Sequence, residues 1–423
     1  MFHFISPLFN NKVAGETLCS CLKYDRMNRR SFTKLLGTAA IAYNSGLKAL
    51  VGRDRIVVVG AGIVGTTIAY ELSKMGAEVT LIDKESPASG ASGSSFSWIN
   101  ATYPKKPYSY NLLSQLGIDA YKSLEKEINL NISWSGSLEW FDSTDAQRKL
   151  LNEVAVLKKY PRFSPFSIIT DKKAQILEPN VNFTSNQNII FSEVDGAIDT
   201  INAISLMTEK IKQFGGLVLH PCQFQGLNYR NSKLSSVQTS LGELEVDQAV
   251  FACGVDTDNL LSINSITTPK PGVIVRTIPT EKRLNKIVVG PGVHVHQQLD
   301  GRIIFGEQAG APSSHLETLK EKPKDFPSEI FTRQHVDRIL KIATTFINNL
   351  DNLEVEKASI GWRPLPRDGK PVIGRLNKLP GVYVAVMHSG VSLAAIVGKL
   401  ATQEILDGST NIILQDFRPS RFN

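Results

Sequence analysis

Apolar and polar positions along the 423 residues fall into two alternating regimes. Short apolar runs bounded by glycine or an acid, at 55–59, 78–82, 246–252 and 382–386, predict buried strands of a parallel sheet. Helical spacing fills the intervals. A helix is expected over 66–75. Ile201, Ile204, Met207 and Ile211 place another over 200–214, ended by Gly215-Gly216, and a long one starts near Ser392. Short strands follow the second helix at 217–220, 227–229 and 236–239.

Two further regions, 111–193 and 268–353, are richer in alternating strands, Trp/Phe residues and polar turns. His294, Val295 and His296 fall in one such strand and Arg302 to Phe305 in another, with a flanking helix at 332–348. The pattern predicts an α/β chain. One domain is assembled from 54–110, 196–262 and 355–423; an antiparallel-sheet domain comes from 111–195 and 263–354.

The first strand ends in chemistry. Arg55-Ile-Val-Val-Val leads into Gly60-Ala-Gly62-Ile63-Val64-Gly65, and the second strand ends at Asp83. Gly60 permits a tight turn, Gly62 lets a diphosphate approach bare backbone, and Gly65 lets helix pack closely on strand. The helix N-terminus adds partial positive charge, and Asp83, 23 residues after Gly60, stands where a carboxylate accepts from a ribose hydroxyl. Strand, glycines, helix, strand and acid in this order imply a dinucleotide site.

Charge changes the picture only at the N-terminus. Residues 1–53 hold eight Lys/Arg against two acids, +6 of a formal +7, so the remaining 370 residues carry +1. Without a basic stripe, a polyanion partner is not indicated. The +6 gathers around Arg29-Arg30-Ser-Phe32-Thr-Lys34 and a short apolar stretch, 35–42. This segment resembles a twin-arginine export signal, with Thr33 in place of the usual Leu. It predicts a periplasmic location, a leader over 1–53, and translation beginning at Met27. The apolar stretch is too short for a permanent membrane span. Cys222 and Cys253, the cysteines beyond the leader, form no C-x-x-C, and no metal site is expected.

The second half of the chain carries a family resemblance. Gly361-Trp-Arg363-Pro, Asp368-Gly-Lys-Pro-Val-Ile-Gly374 and Met387-His388-Ser-Gly390-Val-Ser-Leu393 resemble the C-terminal signature of the FAD-dependent amine and D-amino-acid oxidoreductases. That family includes glycine and sarcosine oxidases and D-amino-acid dehydrogenases. Ser89-Gly-Ala-Ser-Gly93-Ser94-Ser95, Ala197-Ile-Asp199-Thr200, Ala252-Cys-Gly254 and the closing Phe417-Arg-Pro-Ser-Arg421-Phe422 agree in order. The resemblance implies a Rossmann-like, glutathione-reductase-like FAD-binding domain of discontinuous segments, beside an antiparallel-sheet substrate domain. It implies that Gly60, Gly62, Ile63, Val64, Gly65, Asp83 and Lys84, with Phe224, Ala252 and Gly254, surround the ADP half. Ser94, Ser95, Gly390, Val391, Ser392 and Leu393 then surround the flavin. FAD is expected to be non-covalent, because Ser359 stands where covalently flavinylated relatives place a cysteine.

Two residues are catalytic candidates. In the resemblance, Arg363 occupies the position of a substrate-carboxylate arginine; a structural ion-pair role is the alternative. His388 is either a packing neighbour of the flavin or a direct proton carrier. His294 and His296 share a strand face, but two histidines without an acid or thiol cluster are ordinary strand residues. Trp98 and Tyr103 line a cavity or pack in the core. The expected activity is hydride transfer from a small carboxylate-bearing amine to flavin N5, with oxygen or a quinone-type carrier as acceptor. Oxidation of a hydroxy acid or polyol phosphate, and a catalytically silent flavoprotein, are the alternatives.

Overall fold

The computed structural model describes residues 54–163, 165–267, 270–307, 325–350 and 352–422. The expected leader lies outside the described residues. Arg53–Asn423 form one compact unit built on two large sheets.

The first sheet runs Val372–Arg375, Val382–Val386, Gln248–Phe251, Arg55–Val59, Glu78–Ile82, Leu217–Leu219. Four of its five pairings are parallel, and the one at the Val372–Arg375 edge is antiparallel. Strands buried on both faces need continuous apolar runs, and Ile56, Val57, Val58, Leu81, Ile82, Val250 and Phe251 supply them. Helices Ile63–Lys74, Thr200–Gln213 and Gly390–Asp407 cover the sheet. From Arg55–Val59 the chain winds to Glu78–Ile82 on one side, while Gln248–Phe251 flanks the other. That split opens a crevice at the carboxyl ends, where Gly60, Asp83 and Ala252 lie. A three-stranded antiparallel sheet, Phe224–Arg230, Lys233–Thr239 and Gly242–Glu245, is appended.

The second sheet has eight strands in the order Val355–Arg363, Lys270–Thr277, Ile303–Glu307, Val293–Gln297, Ile287–Val289, Ser137–Glu139, Asn188–Ser192, Phe166–Thr170. All neighbours are antiparallel except Ile287–Val289 with Ser137–Glu139. Leu138, Trp140, Val273, Val275, Val295, Phe305 and Phe346 build its core, with the helix Glu329–Thr344 against it.

Two assignments differ from the sequence expectation. Residues 355–363, expected within the cofactor domain, pair with Lys270–Thr277 in the larger sheet, so Arg363 projects from that sheet's edge strand. Region 111–193 is not mainly strand: Tyr108–Glu127 is a 20-residue helix, and Thr144–Leu157 and Asp171–Leu177 are helices as well. Leu113, Leu116, Ala120, Tyr121 and Leu124 recur at helical spacing and seat the long helix against Gly390–Asp407. Gly117 makes the approach possible, since a Cβ there would stand 2.3 Å from the Ser392 carbonyl oxygen.

Candidate functional site

A cavity of about 1530 Å³ runs from the glycine turn to the start of the closing helix and out over the larger sheet. At one end Gly60, with φ +104°, turns the chain beneath Ala252. A Cβ on Gly62 would come within 3.1 Å of Ser92 Oγ, and that hydroxyl accepts from the Ile63 N–H at 2.9 Å. The Asp83 carboxylate accepts from the Ala61 and Glu85 N–H groups at 2.7 and 2.9 Å, which fixes it at the crevice. Lys84 is ion-paired with Asp256 at 2.7 Å, and Phe224 stands edge-on to Phe251. Cys253 lines the wall with its thiol against the Val59 carbonyl, and burial pushes its pKa up, so it stays protonated.

At the other end the helix Gly390–Asp407 aims its N-terminus at the cavity. The Leu393 N–H bonds the Ser389 carbonyl at 3.1 Å, which leaves the N–H groups of Gly390, Val391 and Ser392 without a partner inside the helix. Leu393 is fully buried and does not line the cavity, and Gly65 does not line it either; both act through packing. The remaining predicted residues, Gly60, Gly62, Ile63, Val64, Asp83, Lys84, Ser94, Ser95, Phe224, Ala252, Gly254, Arg363, His388, Gly390, Val391 and Ser392, all line this one space. Ser392 is held from two sides: its hydroxyl donates to the Trp98 carbonyl and accepts from the Asn100 N–H, each at 3.1 Å. Tyr121 donates to the Val391 carbonyl at 2.6 Å.

Arg363 enters from the larger sheet. Its Nη2 donates to the Pro271 carbonyl at 3.3 Å, its Nε is buried without a partner, and no carboxylate pairs with it among the described residues. Desolvation lowers its pKa, the mark of a cation denied its counter-charge. The structural ion-pair alternative therefore has no partner here. Gly272 lies against the guanidinium, where a Cβ would touch Nε at 3.6 Å.

His388 lines the cavity and is exposed there, yet the surrounding protein crowds it. Burial, and then the positive charges of Arg363 and Lys105, push its pKa down to about 4. His294 and His296 are driven to about 4 as well, chiefly by burial. His296 bonds the Phe96 carbonyl at 2.8 Å and is a core residue, whereas His294 lines the cavity. All three are neutral at pH 7. Among the described residues no group of three His, Cys, Asp or Glu could hold a metal.

Beside Trp98 and Tyr103, which the sequence offered as cavity or core residues, several wall residues escaped the sequence reading. Trp98 and Tyr103 line the cavity, as do Asn100, Lys105, Tyr110, Glu139 and Phe141. Glu139 is buried and its carboxyl is pushed up to about 8, by desolvation first and by Asp195 second. Asp195 lies behind the wall and accepts from Ser137, Ser192, Trp98 and Asn100. With these donors on it, Asp195 is raised by burial only to about 6, so near pH 7 it keeps the negative charge while Glu139 keeps the proton.

The loop after Arg363 is clasped by the C-terminus. Arg421 grips Asp368 through Nε and Nη2 at 2.7 and 3.1 Å, and Arg418 grips the buried Glu404 of the closing helix at 2.5 and 2.7 Å. The Phe417–Phe422 segment thus ties the loop after Arg363 to the last turn of the closing helix.

The dimensions and chemistry suit FAD. The crevice offers bare glycine backbone and a fixed acid at one end, a helix N-terminus at the other, and an uninterrupted space between.

Comparison with known proteins agrees. The family model described as FAD dependent oxidoreductase matches residues 55–404. Glycine oxidase of Pseudomonas aeruginosa is 24% identical over 381 residues, which cover 85% of this chain and 96% of that protein. Mitochondrial dimethylglycine dehydrogenase of Rattus norvegicus is 22% identical over 396 residues, 88% of this chain but only 45% of the relative. Among solved structures, L-proline dehydrogenase from P. horikoshii superposes with a TM-score of 0.76 at 24% identity, covering 88% of this chain and 98% of that one.

Proposed function

Because the chain belongs to the FAD-dependent oxidoreductase family, we propose that it oxidises a small amine bearing a carboxylate, as the names of its glycine oxidase and dimethylglycine dehydrogenase relatives suggest. The observation that carries this reading is Arg363: a desolvated guanidinium in the cofactor cavity, without an acid partner among the described residues. FAD, when bound, supplies the two-electron acceptor that takes the hydride from carbon.

The protein's part is positioning and electrostatics. Arg363 holds the carboxylate through two parallel hydrogen bonds and so fixes the carbon to be oxidised. Desolvation in the cavity favours the neutral amine, the form whose nitrogen lone pair can assist loss of hydride. Neutral His388 and His294 add no competing positive charge. The Gly390, Val391 and Ser392 N–H groups offer dipoles to negative charge developing in front of the helix. The imine product hydrolyses in water to an oxo acid or aldehyde and an amine.

The direct test is anaerobic reduction of purified holoprotein by a panel of D-amino acids, glycine, N-methylglycine and proline, set against hydroxy acids. Bleaching of the flavin by amines alone is the expected result; bleaching by hydroxy acids alone would refute the reading. Admitting oxygen or a quinone analogue afterwards assigns the acceptor.

A pH effect follows from the cavity wall. Burial lowers Lys105 to about 8 and raises Glu139 to about 8. Raising pH through that value discharges the lysine and charges the glutamate, and both changes make the cavity less positive. The Kd of a simple carboxylate inhibitor, read from its perturbation of the flavin spectrum, is expected to rise about tenfold or more between about pH 7 and 9.5. Glu139→Gln should remove the glutamate's share; a flat wild-type profile would contradict the assignment.

We further propose export through the Arg29-Arg30 leader. Replacing both arginines by lysine should keep the protein out of the periplasmic fraction while leaving its FAD content unchanged, and equal periplasmic yield would rule the leader out.

A further inference from the structure

Arg363 is not the only desolvated cation in the cavity without an acid among the described residues. Lys105 lies on the loop before the helix Tyr108–Glu127, only 8% exposed, and it lines the same space. Its Nζ donates to Ser114 Oγ at 3.0 Å and sits 5.2 Å from the centre of the Tyr110 ring. That leaves two of its three N–H donors unused among the described residues. The Tyr110 hydroxyl in turn bonds Ser389 Oγ at 3.1 Å, so Lys105 approaches His388 from the long-helix side while Arg363 approaches from the larger sheet.

The nearby carboxylates do not neutralise this lysine. Asp195 is the one whose field it feels, but that group's oxygens accept from Ser137, Ser192, Trp98 and Asn100, and it forms no ion pair with Lys105. Glu139 keeps its proton, and no cation offsets its burial. At neutral pH the substrate end of the cavity therefore holds two desolvated cations without ion-pair partners among the described residues, walled by neutral histidines and a protonated glutamic acid. Buried cations of this kind are costly unless something pairs with them. A ligand with one carboxylate satisfies one; a ligand with two satisfies both.

We propose that the substrate carries a second carboxylate held by Lys105, making it a secondary amine flanked by two carboxylates, of the N-(carboxyalkyl) amino-acid class. This rests on the amine-oxidation reading and names its substrate class. The N–CH carbon loses hydride to FAD and the nitrogen loses its proton to solvent. Water then cleaves the resulting imine into a 2-oxo acid and an amino acid.

N-(carboxymethyl)glycine and N-methylglycine differ only by that second carboxylate, which makes them the matched probes. With wild-type holoenzyme, kcat/KM for flavin reduction should favour the dicarboxylate by about 30-fold or more, the scale of losing one partner of a buried charge pair. Lys105→Met should bring that ratio close to one, and Lys105→Arg should keep most of it. An independent reading is the Kd of two sulfur analogues, thiodiacetate and (methylthio)acetate, from the oxidised flavin spectrum; their affinity ratio should collapse in Lys105→Met in the same way. Equal wild-type efficiency on the two amines overturns the second-carboxylate proposal while amine oxidation stands. A Lys105→Met variant that weakens both analogues equally overturns it as well, placing Lys105 at the flavin or at the shared carboxylate. Reduction by hydroxy acids and by neither amine sinks both proposals.

Discussion

Replacing Arg363 by alanine is expected to lower kcat/KM by about 10³-fold, mostly through KM, with FAD content unchanged. The guanidinium is desolvated, unpaired with any acid among the described residues, and bonded to the Pro271 carbonyl, so it meets a carboxylate with donors already in place. Truncating one member of a buried charge pair costs about 2–5 kcal/mol, and each 1.36 kcal/mol is about tenfold in rate. Arg363→Lys should recover only part of the loss, because an ammonium offers a point charge where a planar fork makes two parallel bonds. Anaerobic stopped-flow reduction across a substrate series separates binding from the chemical step. Wild-type KM and kcat in the alanine variant would remove Arg363 from the site, and lost FAD would instead identify it as structural.

How much of this was legible before the structure depends on the kind of signal. The strands Glu78–Ile82 and Val382–Val386 coincide with their apolar runs, because burial on both faces leaves an unbroken signature. The glycine turn was legible for a similar reason: each glycine answers a local steric demand. Sheet membership was not. Val355–Arg363 pairs with Lys270–Thr277, some eighty residues earlier, and local pattern does not name so distant a partner. The helix Tyr108–Glu127 was hidden because its buried face includes Asn111, Ser114 and Gln115, which interrupt the apolar stripe and find their bonds inside the fold.

The charges that shape the cavity were the least legible. Lys105 and Glu139 are single polar residues in ordinary local surroundings; only the tertiary structure shows that neither is given a partner of opposite charge. Asp195 is similar. Its importance comes from donors contributed by residues spread from Trp98 to Ser192. The terminal Arg418 and Arg421 were visible as part of a resemblance. What they do, locking Glu404 and Asp368, is a matter of spatial convergence.

Gly65→Ala is expected to abolish stable FAD retention, with affinity reduced about 100-fold or more. The added Cβ would stand 1.9 Å from the Gly60 carbonyl oxygen and 3.2 Å from Ala252 Cβ, against backbone and a buried wall rather than a flexible side chain. Relief requires the helix Ile63–Lys74 to move outward by about 1 Å, carrying its N-terminal N–H groups away from the diphosphate, and a displacement of that size can cost about 10²-fold at a preorganised site. The Gly60 turn has no room to yield: its own φ is +104°, and it already passes so close to Ala252 that a Cβ there would lie 2.6 Å from the carbonyl oxygen. Gly226 provides the control. It lies in the strand Phe224–Arg230, a Cβ there meets nothing within 4 Å, and Gly226→Ala should change stability by no more than about 0.5 kcal/mol. Titrating apoprotein with FAD and following flavin fluorescence distinguishes the two variants. Stoichiometric, wild-type binding by Gly65→Ala would mean that the close strand–helix contact is not what holds the cofactor.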